Sequence, residues 1–261
     1  MARTGSRSGR GAPAAALRAA IRAVLAALGV PALLAAGSPS AGGAQEAGAA
    51  QAFGDDRVPV LLVPGWMAND QTMGPLRELF LGAGWPPHRV AALAFRNPVG
   101  SNRDHARELA DAVEDLRRRT GAERVDLVAH SMGGLAARYF LQEGGAGQVR
   151  RVIFVATPHR GTLVASLAWG EGGEEMRPGS DFLMRLGQLR GVPPGVEALT
   201  LRTPVDFHVL PPASATLPGV PDVEICCPGH ESILNHPEAF AAMRAFLLRG
   251  VEAVTGPGAS P

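Results

Sequence analysis

The stretch that most limits how this chain can fold is residues 125–139, Val-Asp-Leu-Val-Ala-His-Ser-Met-Gly-Gly-Leu-Ala-Ala-Arg-Tyr. An apolar, β-branched run reads as a short buried strand, a serine follows among small residues, and a helix-compatible series continues. The backbone must therefore reverse within a few residues of Ser131. Gly133 and Gly134 leave room for the helix to pack back against the strand, and Ala129 is nearly as small as the glycine expected on the near side. A serine held on such a turn projects its hydroxyl beyond the sheet edge, beside helix N-terminal N–H groups suited to a developing oxyanion. The pattern predicts a nucleophile elbow. A serine that only caps a helix is the plainer reading, but strand, helix and double glycine agree on the first.

Composition allows one sizeable core: 261 residues, 46% of them hydrophobic, make a single domain the natural expectation. The net charge of +1, with no Lys/Arg-rich cluster in the body, argues against nucleic acid as a partner. The only cysteines, Cys226 and Cys227, are adjacent. They support neither a disulfide framework nor a zinc cluster, and are expected to fill a buried strand.

Residues 1–52 do not read as folded domain. Arg3, Arg7, Arg10, Arg18 and Arg22 precede an apolar run at 23–36 and a small-residue stretch at 37–52. That is the layout of a secretory signal, and the run is short of the roughly 20 residues of a membrane span. A secreted or periplasmic protein is expected; an uncleaved membrane anchor and a plain disordered extension are the rivals.

From residue 53 onward strand and helix alternate. Strands are expected at 58–63, 90–95, 125–130, 149–155, 198–203 and 223–227, and helices at 72–82, 103–119, after Ser131, and at 237–248. This rhythm predicts an α/β class fold, a mostly parallel central sheet flanked by helices, with the loops at Pro64, Ser131 and Thr157 sharing one sheet edge. Residues 161–196 break the rhythm with many glycines and prolines. They are read as a cap-like insertion forming one wall of a pocket, against the alternative of a plain long connection.

An elbow serine needs a base, and the base an acid to hold its tautomer. On such a sheet the order is serine, acid, histidine, each after a later strand. Of seven histidines, His88 and His105 precede the serine, His130 points away from it by strand alternation, His159 follows too soon, and His208 falls inside the acid loop. His230 follows a strand through Pro228-Gly229, whereas His236 stands where the last helix starts. His230 is the preferred base. Asp206 follows the strand at 198–203; Asp222 and Asp126 sit at the wrong ends of their strands and Asp181 lies in the insertion. Asp206 is the preferred acid, with an ordinary turn aspartate as the alternative.

Taken together, Val63-Pro64-Gly65-Trp66, Gly100-Ser101-Asn102, Ala129-His130-Ser131-Met132-Gly133-Gly134, Thr157-Pro158-His159-Arg160-Gly161-Thr162, Pro204-Val205-Asp206 with Val209 and Pro211, and Gly229-His230 resemble the small bacterial triacylglycerol lipases and esterases of the α/β-hydrolase fold. That family often has His where Pro64 stands and Gly where Ala129 stands. The resemblance implies Ser131 as nucleophile, His230 as base and Asp206 as its orienter, with an oxyanion hole formed by the main-chain N–H groups of Met132 and Trp66. It also implies ester hydrolysis through an acyl-enzyme.

An apolar acyl pocket is expected, with Trp66, Leu163, Trp169, Phe182 and Leu183 as contacts, and an ester or lipid substrate met in part at lipid interfaces. An acyltransferase or thioesterase on the same triad, and a catalytically silent binding protein, are the competing readings. No cofactor is expected, and no Asp-rich calcium loop is recognisable. Oligomeric state is not readable from the chain.

Overall fold

The structure is a computed structural model that describes residues 57–188 and 191–249. The expected export segment, residues 1–52, lies outside the described residues.

Six parallel strands form the sheet: β1 (Val60–Val63), β2 (Val90–Ala92), β3 (Val125–His130), β4 (Val149–Val155), β5 (Glu197–Arg202) and β6 (Asp222–Glu224). Their spatial order is β2-β1-β3-β4-β5-β6. The chain moves outward from β1 to β2, then returns to place β3 on the other side of β1. The strand order therefore reverses between β1 and β3, and in open α/β sheets the crevice beyond the C-terminal ends at such a point is where ligands bind.

Alternation along each strand explains the layers. Val60, Leu62, Val128, Ile153 and Val155 face helices α1 (Gly74–Gly82) and α6 (Pro237–Leu248), meeting Phe80 and Met243 in one buried cluster. Leu61, Val63, Leu127, Val152 and Phe154 face helices α2 (Asn102–Thr120) and α3 (Met132–Gln142), meeting Leu109, Val113 and Phe140 in another. The central strands are buried on both faces, which is why β1 and β3 read as nearly unbroken apolar runs. Helix α2 carries its own limits. The Ser101 side chain accepts from Arg103 N, and Gly121 closes the helix at φ 67° in the left-handed region.

The insertion between β4 and β5 contains a short 3-10 turn and helices α4 (Gly170–Glu175) and α5 (Asp181–Gln188). It has a small core of its own: Ala165, Met176, Phe182, Leu183 and Leu186 pack onto Met132 and Leu135 of α3.

The expectation for the cysteines is corrected. Strand β6 ends at Glu224, and Cys226 and Cys227 are exposed and disulfide-bonded to each other. As the edge strand, β6 is paired only with β5, and after Ile225 donates to Arg202 O the chain leaves the sheet. There is no buried strand here for the cysteines to fill.

Candidate active site

Strand β3 delivers Ser131 at φ 51°, ψ −128°, a conformation an L-residue adopts only when its surroundings hold it there. Among the described residues the other non-glycine positions with positive φ are Met67, after β1, and Ala156, after β4. All three lie on the loops at one sheet edge. The glycines around the serine answer a need for space. A Cβ on Gly133 would overlap the Pro64 carbonyl, and one on Gly134 would overlap the Thr157 side chain. A Cβ on Gly65 would come within 2.9 Å of Ser131 Cβ. The loops after β1 and β4 therefore close directly onto the turn that carries the serine.

The loop after β5 supplies Asp206 and the loop after β6 supplies His230. Ser131 Oγ donates to His230 Nε2 at 2.9 Å, and His230 Nδ1 donates to Asp206 Oδ2 at 2.8 Å. The far oxygen of Asp206 accepts the main-chain N–H groups of His208 at 2.8 Å and Val209 at 2.9 Å. All three side chains, Ser131, His230 and Asp206, are buried. Burial by itself would raise the Asp206 carboxyl, but the hydrogen bond and charge of His230 and the two main-chain donors outweigh it and hold the group below its ordinary value. A carboxylate that stays ionised fixes the imidazole with its proton on Nδ1, leaving Nε2 free to take the serine proton.

Asp126, Asp222, Asp181, His105 and His236 stand elsewhere in the fold. Asp126, at the opposite end of β3, pairs with Arg150 at 3.0 Å; Asp222, at the start of β6, accepts from Thr200 and Arg202; Asp181 begins α5. His236 stands at the N-cap position of α6 without a side-chain capping hydrogen bond, and His105 bonds Asn97 O at 2.7 Å while stacking on Phe95. His130 points away from Ser131 but reaches His230: its Nε2 donates to the His230 main-chain oxygen at 3.0 Å. Burial, and then the charge of His230, push the His130 pKa down to about 3, so the ring is neutral at physiological pH.

A pocket of about 200 Å³ opens over the serine, lined in part by Trp66, Val164, Leu167, Trp169, Met176 and Val209. Trp66 and Trp169 meet edge to face at 4.6 Å, and Trp66 Nε1 donates to Trp169 O at 3.2 Å, tying the β1 loop to the insertion. Of the expected acyl contacts, Trp66 and Trp169 line this pocket. Leu163 is exposed and does not, because the turn from Leu163 to Ser166 presents Val164 and Ala165 instead. Phe182 and Leu183 also lie outside it, since the insertion spends them on its own core against α3.

Glu175 is a residue that local sequence does not single out. Its carboxylate accepts from Ser101 Oγ at 2.8 Å, Asn102 N at 2.6 Å, Asn102 Nδ2 at 2.9 Å and an Arg103 guanidinium N–H at 2.8 Å. It clamps the insertion to the N-terminus of α2. Two sets of side chains could offer three atoms to a metal ion, Asp206 with His208 and His230, and His130 with His230 and Glu231. Both depend on His230, whose ring nitrogens already bond Asp206 and Ser131, so a metal on either set would have to dissolve the relay.

Comparison with known proteins gives a matching context. The family model described as "Domain of unknown function (DUF7379)" matches residues 95–169. A triacylglycerol lipase of Burkholderia plantarii is 32% identical over 154 residues, which cover 57% of this chain and 42% of that protein's length. Among solved structures, the mature Bacillus licheniformis lipase BlEst2 superposes with a TM-score of 0.64 at 19% identity, covering 73% of this chain and 92% of that one. Aspergillus fumigatus lipase B gives a TM-score of 0.64 at 21% identity, covering 76% of this chain and 54% of that one. The shared architecture is the α/β-hydrolase fold.

Proposed function

We propose that the chain hydrolyses carboxylic esters through an acyl-enzyme on Ser131, with His230 as general base and Asp206 as its orienter. The observation that carries this reading is the unbroken relay from Ser131 Oγ through His230 to Asp206 beneath an apolar pocket. The 32% identity to a triacylglycerol lipase supports the same chemistry.

In the first half-reaction Ser131 Oγ attacks the ester carbonyl while its proton passes to His230 Nε2. The tetrahedral oxyanion is stabilised by the Met132 and Trp66 main-chain N–H groups at the start of α3 and in the β1 loop. Collapse breaks the acyl–oxygen bond and His230 returns the proton to the departing alcohol. Water then enters, gives its proton to His230, and attacks the acyl-serine. The second collapse releases the acid and restores Ser131.

The rim supports substrates presented by a lipid surface. Leu167 and Trp169, which both line the pocket, are 81% and 57% exposed. Exposed apolar side chains around a pocket mouth are characteristic of contact with an apolar phase. We also read residues 1–52 as an export segment, supported by arginines ahead of the apolar run; amino-terminal sequencing of secreted protein tests it.

The decisive experiment pairs Ser131→Ala with fluorophosphonate labelling. Hydrolysis of p-nitrophenyl esters should fall by roughly three or more powers of ten, and the label should attach to Ser131 in the native chain alone. Undiminished turnover in Ser131→Ala, or a label on another residue, would overturn the assignment.

A further inference from the structure

A second cavity, larger than the one over Ser131, shares none of its lining residues. It encloses about 770 Å³ between α3, the insertion and the loop that leads into β6. Its wall is mostly apolar, with Leu183, Met184, Val192, Val196, Leu217 and Val220. Its polar side chains are chiefly basic: Arg138 of α3, and His159 and Arg160 from the loop after β4. Among the described residues, none of those lining it is acidic.

The basic groups are poorly supplied by the protein itself. Arg138 is buried, and its one hydrogen bond among the described residues runs from Nη2 to Leu186 O at 2.8 Å. A guanidinium has five donors, so capping the end of α5 uses only one of them, and Arg138 Nε is buried without a partner. No carboxylate among the described residues pairs with it, although burial lowers its pKa only to about 10 and leaves it cationic at neutral pH. Both ring nitrogens of His159 are buried and unpartnered as well. Burial, then the charges of Arg138 and Arg160, keep that imidazole neutral, so one nitrogen remains a donor. Arg160 is exposed at the rim and bonds the Ala213 carbonyl, again with no acid.

A buried cation without a counter-charge is costly, and buried polar atoms are normally satisfied. The chemistry that fits this lining is an anion that can take two guanidiniums and an imidazole N–H, attached to a chain that can lie against aliphatic walls. A carboxylate matches the planar fork of arginine and accepts two donors at once. We infer that this cavity binds an apolar carboxylate of the fatty-acid type, its head at Arg138, His159 and Arg160 and its chain along the aliphatic wall. This does not rest on ester hydrolysis at Ser131, because neither guanidinium takes part in that relay. The loop from Thr157 to Gly161 touches both spaces, with Pro158 lining the catalytic pocket and His159 the second cavity.

The test is calorimetric titration of the full chain with sodium decanoate below its micellar concentration, with decanol as the uncharged control. Two variants at exposed positions keep folding out of question, Arg160→Gln at the charged end and Met184→Glu on the apolar wall. Decanoate should bind saturably and at least about tenfold more tightly than decanol. Arg160→Gln should weaken decanoate about tenfold and leave decanol unchanged, while Met184→Glu weakens both. No saturable decanoate binding, equal binding of acid and alcohol, or decanoate affinity untouched by both substitutions would overturn the proposal; the last would put the ligand in the pocket over Ser131.

Discussion

The buried imidazole of His130 donates from Nε2 to the main-chain oxygen of His230 at 3.0 Å, so the residue before Ser131 holds the loop that carries His230. Strand β3 thus serves both partners: Ser131 projects from its end and His130, pointing away, steadies His230. The bond has a fixed direction, because a carbonyl only accepts and a neutral ring with its proton on Nε2 can donate to it. Removing that donor leaves the triad side chains in place but frees their anchor. For His130→Phe we expect kcat on p-nitrophenyl esters to fall about tenfold to a hundredfold, in line with the loss of one buried hydrogen bond, and KM to change little. A rise in KM at unchanged kcat would assign His130 to substrate binding instead.

The same burial sets an acid limit on stability. His130 takes up its proton near pH 6.5 in the unfolded chain but only near pH 3 in the folded one. Between those values the unfolded state holds more protons, so folded stability falls as pH drops through the window, by up to about 1.4 kcal/mol per pH unit. His159, shifted in the same direction, adds to the slope. Asp206 acts lower down: its depressed pKa contributes stability that is present above the ordinary carboxylate value and lost as pH falls through the folded value. Urea unfolding from pH 7 to pH 4 should show this decline, and His130→Gln should flatten it. A native profile that is level across that range would contradict the burial of both histidines.

Glu175 gives a prediction about the pocket wall. Its carboxylate holds Ser101, Asn102 and Arg103 together, and all four donor groups belong to the first turn of α2 or its cap. Glu175→Ala leaves them without an acceptor in a buried place, at a cost of about 2–4 kcal/mol once the partly exposed Arg103 is discounted. The loss should be local first. Hydrogen exchange at residues 163–188 should quicken more than exchange in β3 or β4, because the clamp fastens the insertion and not the sheet.

How much of this was legible beforehand depended on how far apart the determining residues lie. Strand, turn and helix around Ser131 are written within a single short stretch, so both the fold class and the candidate nucleophile could be read there. Asp206 and His230 could be selected because chain order and strand ends suffice to bring them to one edge. Glu175 could not: it stands beside Glu174 with nothing local to distinguish it, and its partners lie more than seventy residues earlier. Phe182 and Leu183 misled for a related reason. An apolar pair in an insertion over a pocket can face the pocket or an underlying helix, and only packing against Met132 and Leu135 decides. The run through Cys226 and Cys227 looked like strand, yet the edge position of β6 ends its pairing before them.

Close packing behind Ser131 supplies a final test in the form of a two-residue cycle. A Cβ on Gly134 would run into the Thr157 side chain, overlapping its hydroxyl and methyl most closely. Gly134→Ala should therefore cost about 1–3 kcal/mol, the range for overpacking a filled site, despite alanine's better helix propensity. Thr157→Ala alone should be nearly neutral, because the hydroxyl it removes is buried and has no hydrogen-bond partner. In the double variant the hydroxyl and methyl are gone while Thr157's own Cβ position remains, so roughly half of the Gly134→Ala loss should return. Denaturant midpoints of the four proteins measure the coupling directly. Strict additivity would mean that the loop after β4 moves away from α3 on its own, and that the double glycine serves the Pro64 side alone.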